Sequence, residues 1–226
     1  MQESALLATV LRAAGVAAEL AERLAAYGAM LLEANRAVNL TGSKDATALV
    51  PHLLDALTLQ HDVAESLVDV GSGGGLPGIP LALATGAHLV TIEPIAKKAA
   101  FLERALRELG IAGMALAQRA EVVARDEQFR ERFAFATARA VASAPTVAEL
   151  TIPFLRLGGR ALLQRGALDA AERRAVEDAA PMLGGMLIEE RLLDGDRRVL
   201  VIEKRTPTGP RFPRRNGVPG KRPLCL

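Results

Sequence analysis

The residues best suited to chemistry lie in Leu67-Val68-Asp69-Val70-Gly71-Ser72-Gly73-Gly74-Gly75-Leu76-Pro77-Gly78, where an apolar run enters a cluster of glycines and leaves it as a helix. Gly71, Gly73 and Gly75 strip Cβ atoms from the turn, so a flat polar ligand can lie against backbone N–H groups at the strand end. Gly73 to Gly78 spell a literal G-x-G-x-x-G, which makes a dinucleotide the first competitor and is a weak signal alone. Asp69 argues the other way, because a carboxylate two positions before Gly71 would repel a pyrophosphate.

Glu93 closes the second apolar run 20 residues after Gly73, and a carboxylate there can accept two hydrogen bonds from ribose hydroxyls. NAD and S-adenosylmethionine would both use it. Gln118-Arg119-Ala120-Glu121, after the third run, offers backbone and side-chain groups to an adenine edge. The pattern D-x-G-x-G-x-G from Asp69 to Gly75 resembles the first motif of Rossmann-like methyltransferases, in which a carboxylate orients the loop and the methionine end. No Ser-His-Asp set or metal-ligand cluster is evident, and Cys225 as sole cysteine excludes an internal disulfide or multi-cysteine zinc site. No metal is expected.

Three helices should precede this segment. Leu20, Leu24, Tyr27 and Leu31 follow the 3.6-residue period, as do Leu49, Leu53, Leu54 and Leu57. Asn39-Leu40-Thr41-Gly42 breaks the period and Asp45 can cap the next helix. His52 and Asp55, three apart, share a face of that helix, and structural support is the expected role for both. From Ser66 onward, Leu67–Val70, His88–Ile92, Met114–Ala117, Phe133–Thr137 and Arg160–Leu163 read as strands separated by helical segments. That alternation predicts an α/β fold with a mostly parallel sheet. A helix around Asp169 to Asp178 follows, and Asp194-Gly195-Asp196 between Gly185–Leu193 and Arg197–Lys204 signals a terminal antiparallel hairpin. A dinucleotide dehydrogenase would continue into a second βαβαβ half, so the ending suits a Rossmann-like class I methyltransferase sheet with an N-terminal helical preface. The regions expected are 1–62 helical, 63–205 the S-adenosylmethionine-binding core, and 206–226 a basic C-terminal arm.

Composition is that of a compact protein, 50% hydrophobic and 24% charged. No basic n-region precedes the first apolar stretch, and no apolar run reaches the ~18 residues of a membrane span. Neither secretion nor insertion is indicated, and the cytoplasm is the expected compartment. Of 28 Lys and Arg residues, seven fall in 204–226 with no acid among them, leaving 21 bases against 26 acids before it. A basic tail on an acidic body suits a polyanionic partner. Five prolines, Pro207, Pro210, Pro213, Pro219 and Pro223, rule out regular helix there and predict an extended arm. Arg214, Arg215, Lys221 and Arg222 would contact phosphates. With 3% aromatics and no Trp, base stacking should add little.

Asn39-Leu40-Thr41, His52-Leu53-Leu54-Asp55, the loop from Asp69 to Pro80, Arg119-Ala120-Glu121, Arg139-Ala140-Val141-Ala142 and the run Phe212 to Leu224 together resemble one family, the bacterial small-subunit (16S) ribosomal RNA guanine-N7 methyltransferases, known as RsmG or GidB. The resemblance runs from about residue 30 to the last residue. It implies methylation of a guanine N7 in the decoding-region loop of small-subunit ribosomal RNA, with S-adenosylmethionine as cofactor and naked RNA or the 30S particle as partner. It also implies that Gly71 and Leu76 lie along the cofactor, Glu93 at its ribose, Ala120 and Glu121 at its adenine, and Arg139 near the methyl-transfer centre. Two positions depart from the pattern. Ala134 stands where the family usually carries Asp, so no acid role is expected there, and Arg165 stands where Lys is common.

Guanine N7 already presents a lone pair, so transfer from a sulfonium needs in-line alignment more than proton abstraction, and no general base is required. Arg139 is the candidate to steer guanine through O6 or a flanking phosphate. The absence of Asn-Pro-Pro-Tyr after the fourth strand argues against an exocyclic amine acceptor. Two other readings stay open: a nicotinamide-dependent oxidoreductase, disfavoured by Asp69 and the terminal hairpin, and a ribosome-assembly factor that binds RNA without catalysis. A monomer is the default expectation.

Overall fold

The apolar spacing of the first sixty residues produces three helices in the computed structural model, which describes residues 2–226: α1 (Gln2–Ala13), α2 (Ala18–Val38) and α3 (Ala46–Leu57). Leu24, Tyr27, Leu31, Leu49 and Leu53 are wholly buried, as the helical period requires. Asn39, in the left-handed region, ends α2. The Asn35 carboxamide then accepts from Leu40 N and Thr41 N at 2.6 and 2.9 Å. Asp45 caps α3 by accepting from Ala48 N at 2.9 Å, which satisfies an otherwise orphaned amide.

The chain divides into two units, residues up to Glu65 with Ser72–Ala117, and Ser66–Gly71 with Gln118–Leu226. In the first, the glycine-rich turn leads into α4 (Gly78–Thr85). β2 (His88–Ile92), α5 (Ala96–Glu108) and β3 (Gly113–Leu116) follow. The two strands pair in parallel, Leu89 opposite Gly113 and Ile92 opposite Leu116.

In the second unit β1 (Ser66–Val70) pairs in parallel with β4 (Phe133–Arg139), and β4 with β5 (Leu155–Arg165). β7 (Arg198–Lys204) runs antiparallel to β5, and β6 (Gly185–Leu192) antiparallel to β7. Helices α6 (Ala120–Val123), α7 (Ala144–Thr151) and α8 (Ala170–Met182) connect these strands. The seven-stranded sheet has the order β3-β2-β1-β4-β5-β7-β6, mostly parallel with an antiparallel hairpin at its end. Four of the five residues of β1 are buried in succession, the unalternating pattern of a strand covered on both faces. β5 begins at Leu155, five residues before the start read from sequence, because Gly158 and Gly159 interrupt its apolar pattern without ending the strand.

The C-terminal segment is not an extended arm. Arg205 N and Thr206 N donate to Gly184 O at 2.8 and 3.0 Å, the chain then turns back, and residues Val218–Lys221 form a helical turn, α9. Phe212, Thr208 and Leu224 are buried. Carbonyls left without helix partners by the prolines are taken by arginines from the preceding chain. Arg130 donates to Thr208 O at 2.7 Å and Phe212 O at 3.0 Å, and Arg125 to Pro213 O at 2.5 Å. The prolines predict no regular helix, and α9, with Pro219 in its first turn, is a short exception; nor do they forbid docking.

Candidate active site

In the first unit the site is built around Glu93, the residue after β2. Its carboxylate is buried and divides its two oxygens: Oε2 accepts from Gly73 N at 3.0 Å and Oε1 from Ile95 N at 2.9 Å. The loop is held further by Ser72 N on Ile92 O (3.2 Å) and Gly75 N on Ser72 O (2.7 Å). Gly75 has φ 98°, a conformation that favours glycine, and a Cβ there would fall 2.5 Å from Ile79 Cδ1, which would have to shift. Tyr27, the only tyrosine, reaches from α2 and donates to Gly74 O at 2.8 Å. The helical preface therefore supports the loop directly. Gly73 is half-buried and Leu76 buried.

In the second unit Asp69 is buried in β1 opposite Thr137 of β4. Gly71 follows β1 with φ 70°, and a Cβ there would meet Val141 Cγ2 at 2.7 Å. Arg139 is the half-buried last residue of β4, opposite Gln164 of β5. Ala120 and Glu121 open α6 and are buried. Ala134 is a buried position in β4 whose amide donates to Ser66 Oγ at 3.0 Å.

Glu121, assigned to an adenine edge, already accepts from Gly217 N of the C-terminal segment at 2.8 Å. Arg214, assigned to RNA phosphate, is engaged inside the protein. Its Nη2 and Nε meet Glu149 Oε2 at 2.6 and 3.0 Å, and its backbone N donates to Glu149 Oε1 at 2.7 Å. Glu149 is fully buried on α7 and Arg214 is 24% exposed, so the guanidinium fork answers a buried charge and is not offered to a phosphate. Arg215, Lys221 and Arg222 are exposed on the same docked segment.

A second buried charge anchors its start. Lys204, wholly buried at the end of β7, pairs with Glu131 at 3.0 Å and donates to Ile152 O and Thr208 Oγ1. Glu131 also accepts from Thr208 N at 2.7 Å. Burial pushes the Lys204 ammonium below its ordinary range, with Glu131 opposing. Burial alone would raise Glu131, but the donors Thr208 and Lys204 outweigh it and hold the carboxyl below the usual value.

From sequence, Tyr27 carries only its place in the helical period and Arg165 only its departure from Lys, and Glu149, Glu131 and Glu172 were missed. The lone tyrosine in an aliphatic helix and the acid inside the apolar run Val147-Ala148-Glu149-Leu150 were the available signals. His52 is exposed and Asp55 half-buried on α3. Among the described residues, no group of three or more His, Cys, Asp or Glu could hold a metal, and no helix is long and apolar enough to cross a membrane.

The family model described as GidB, rRNA small subunit methyltransferase G, matches residues 20–200. A ribosomal RNA small subunit methyltransferase G from Rubrobacter xylanophilus is 43% identical over 211 residues, covering 87% of this chain and 81% of the relative. The protein of that name from Leuconostoc citreum is 34% identical over 218 residues, covering 90% and 91%. Among solved structures, MtNAS in complex with S-adenosylmethionine superposes with TM-score 0.55 at 17% identity over 88% of this chain and 82% of that one. A ribosomal protein L11 methylase from Lactobacillus delbrueckii subsp. bulgaricus does so with TM-score 0.52 at 17% identity over 73% and 81%. These last two likenesses establish the class I methyltransferase fold. By the extent of the family match and the identity to its members, the chain belongs to the rRNA small subunit methyltransferase G family.

Proposed function

We propose that the protein methylates the N7 of a guanine in small-subunit ribosomal RNA. It is an S-adenosylmethionine-dependent rRNA methyltransferase. The cofactor itself follows from the family, and the observation that fits its ribose to this site is the Glu93 carboxylate. Each oxygen receives one backbone amide and keeps acceptor capacity for a ribose hydroxyl, so the same group that shapes the loop can grip a ribose. That acceptor capacity fits Glu93 to the ribose; in this reading Asp69, Gly71, Gly73, Gly75 and Leu76 lie along the cofactor, and Ala120 and Glu121 at the adenine.

A bound S-adenosylmethionine would supply a sulfonium methyl to the N7 lone pair, with the C–S bonding electrons passing to sulfur and S-adenosylhomocysteine as the product. The chain's own task is alignment. Arg139 presents donors to guanine O6 or a flanking phosphate without removing a proton. Arg215, Lys221 and Arg222 meet RNA phosphates from the docked segment, with Arg214 holding that segment in place. RNA thus meets a preformed basic surface at residues 206–226, the core spans 63–205, and residues 1–62 buttress the glycine loop through Tyr27. The compartment is the cytoplasm, and a monomer suffices for every contact described.

Purified protein incubated with tritiated S-adenosylmethionine and unmethylated small-subunit RNA or 30S particles should transfer label, and Glu93→Ala should lose it. Cofactor binding without label on either substrate would contradict the RNA assignment, and preferential binding of NAD would restore the oxidoreductase reading. The triple variant Arg215→Ala, Lys221→Ala, Arg222→Ala should weaken RNA binding and lower the salt slope by about one for each phosphate no longer neutralised, with cofactor affinity unchanged.

A further inference from the structure

Arg139 is followed at once by the segment Ala140–Ser143, which joins β4 to α7. Ala140 sits in the left-handed region at φ 54°, a conformation that a residue with a Cβ keeps only where its surroundings hold it. Val141 packs over Gly71, but an apolar contact gives no directional restraint on the peptide groups. Two side chains do. Arg165, the last residue of β5, donates through Nη1 to Ala142 O at 2.8 Å and through Nη2 to Glu172 Oε1 at 2.6 Å. That same carboxylate oxygen accepts from Ala144 N at 2.6 Å. One ion pair, its side chains 15% and 17% exposed, thus fastens a carbonyl at one end of the segment and an amide at the other. Glu172 is fixed in turn on α8, where its own amide donates to the N-cap Asp169 at 2.8 Å.

We propose that Arg165 and Glu172 are positioning residues for methyl transfer, fixing the β4–α7 segment and through it Arg139 and Val141. The inference rests on the function proposed above. It follows from place: β1 and β4 are parallel neighbours, and ligands of such sheets bind beyond the carboxyl ends of the strands, where Gly71 and Val141 lie. It follows also from how the pair is used. An ion pair serving stability alone needs only opposite charges. This one spends one fork donor on a carbonyl and one carboxylate lone pair on an amide, so exchanging the two residues would set an acceptor against Ala142 O and a donor against Ala144 N.

The test compares Arg165→Met, Arg165→Lys and the exchanged pair R165E/E172R with wild type. The measurements are single-turnover methyl transfer to 30S particles at saturating cofactor, cofactor Kd, and amide hydrogen exchange over residues 140–146. A misplacement of about 1 Å costs transfer about a hundredfold, so Arg165→Met should slow turnover by one to two orders of magnitude and speed exchange at Ala144, with Kd within about threefold of wild type. Arg165→Lys, which keeps the charge and several donors, should recover most of the rate. The exchanged pair should regain thermal stability relative to Arg165→Met but not the rate. A wild-type rate or unchanged Ala144 exchange in Arg165→Met would overturn the proposal, as would an exchanged pair that restores rate along with stability. Absence of RNA methylation by wild type would count against the functional reading instead. The exchange data would then still decide whether the pair holds the segment.

Discussion

The glycine loop and the C-terminal segment are both irregular chain held by buried carboxylates, but their partners are found at very different distances along the sequence. Glu93 takes the amide of Gly73 across 20 residues, inside one strand-turn-helix-strand unit whose spacing is a property of the fold class. Glu149 takes Arg214 across 65 residues and Glu121 takes Gly217 across 96, with no repeating unit to announce them. In the loop, residue type dictates shape locally: Gly75 at φ 98° holds a conformation that favours glycine. In the C-terminal segment, residue type alone misleads. Prolines and arginines describe an extended basic arm until the acids that bind them are located.

The largest effect should come from separating Arg214 from Glu149. Arg214→Ala strands a fully buried carboxylate and should cost about 3 kcal/mol in denaturant unfolding, whereas a free arm would lose nothing. Next, Glu93→Ala removes a charged acceptor from two amides and from the ribose proposed to bind there, and cofactor affinity should fall about a hundredfold, or roughly 2.7 kcal/mol by calorimetry. Tyr27→Phe deletes the hydrogen bond to Gly74 O and should cost about 1 kcal/mol of stability, with a smaller loss of cofactor affinity than Glu93→Ala.

The smallest effect is one of pH. Glu131 has a folded-state pKa below its ordinary 4.5, so its contribution is fully present above that pH and is lost as pH falls through the folded value. Amide exchange at Thr208, whose N–H donates to Glu131, should therefore rise below pH 4.5 before global unfolding. Lys204 lies below its ordinary 10.5, so between its folded value and 10.5 the unfolded chain binds more protons and stability rises with pH. Glu131→Gln should flatten the acid limb.

Much of the fold was legible because strand patterns are local. The span His88–Ile92 was read residue for residue, and β4 gained only Ala138 and Arg139 beyond the expected Phe133–Thr137. The Asp45 cap was legible for the same reason. Glu93 could be placed at a strand end, yet its grip on the Gly73 amide depends on how the loop folds back, which spacing does not encode. Arg165 illustrates the limit: sequence marked it as a departure from Lys, and only the structure joins it to Ala142, Glu172 and, through Glu172, Ala144.

The central claim is that the enzyme aligns a guanine N7 and needs no general base. Reduction of the methylated RNA with borohydride followed by aniline cleaves chains where a guanine carries an N7 methyl, and primer extension reads the break. One break at a single guanine, formed at a rate that is flat between about pH 6 and about pH 8.5, is the predicted result. Label that resists this cleavage, or a rate rising with pH as an acceptor proton is removed, would contradict it.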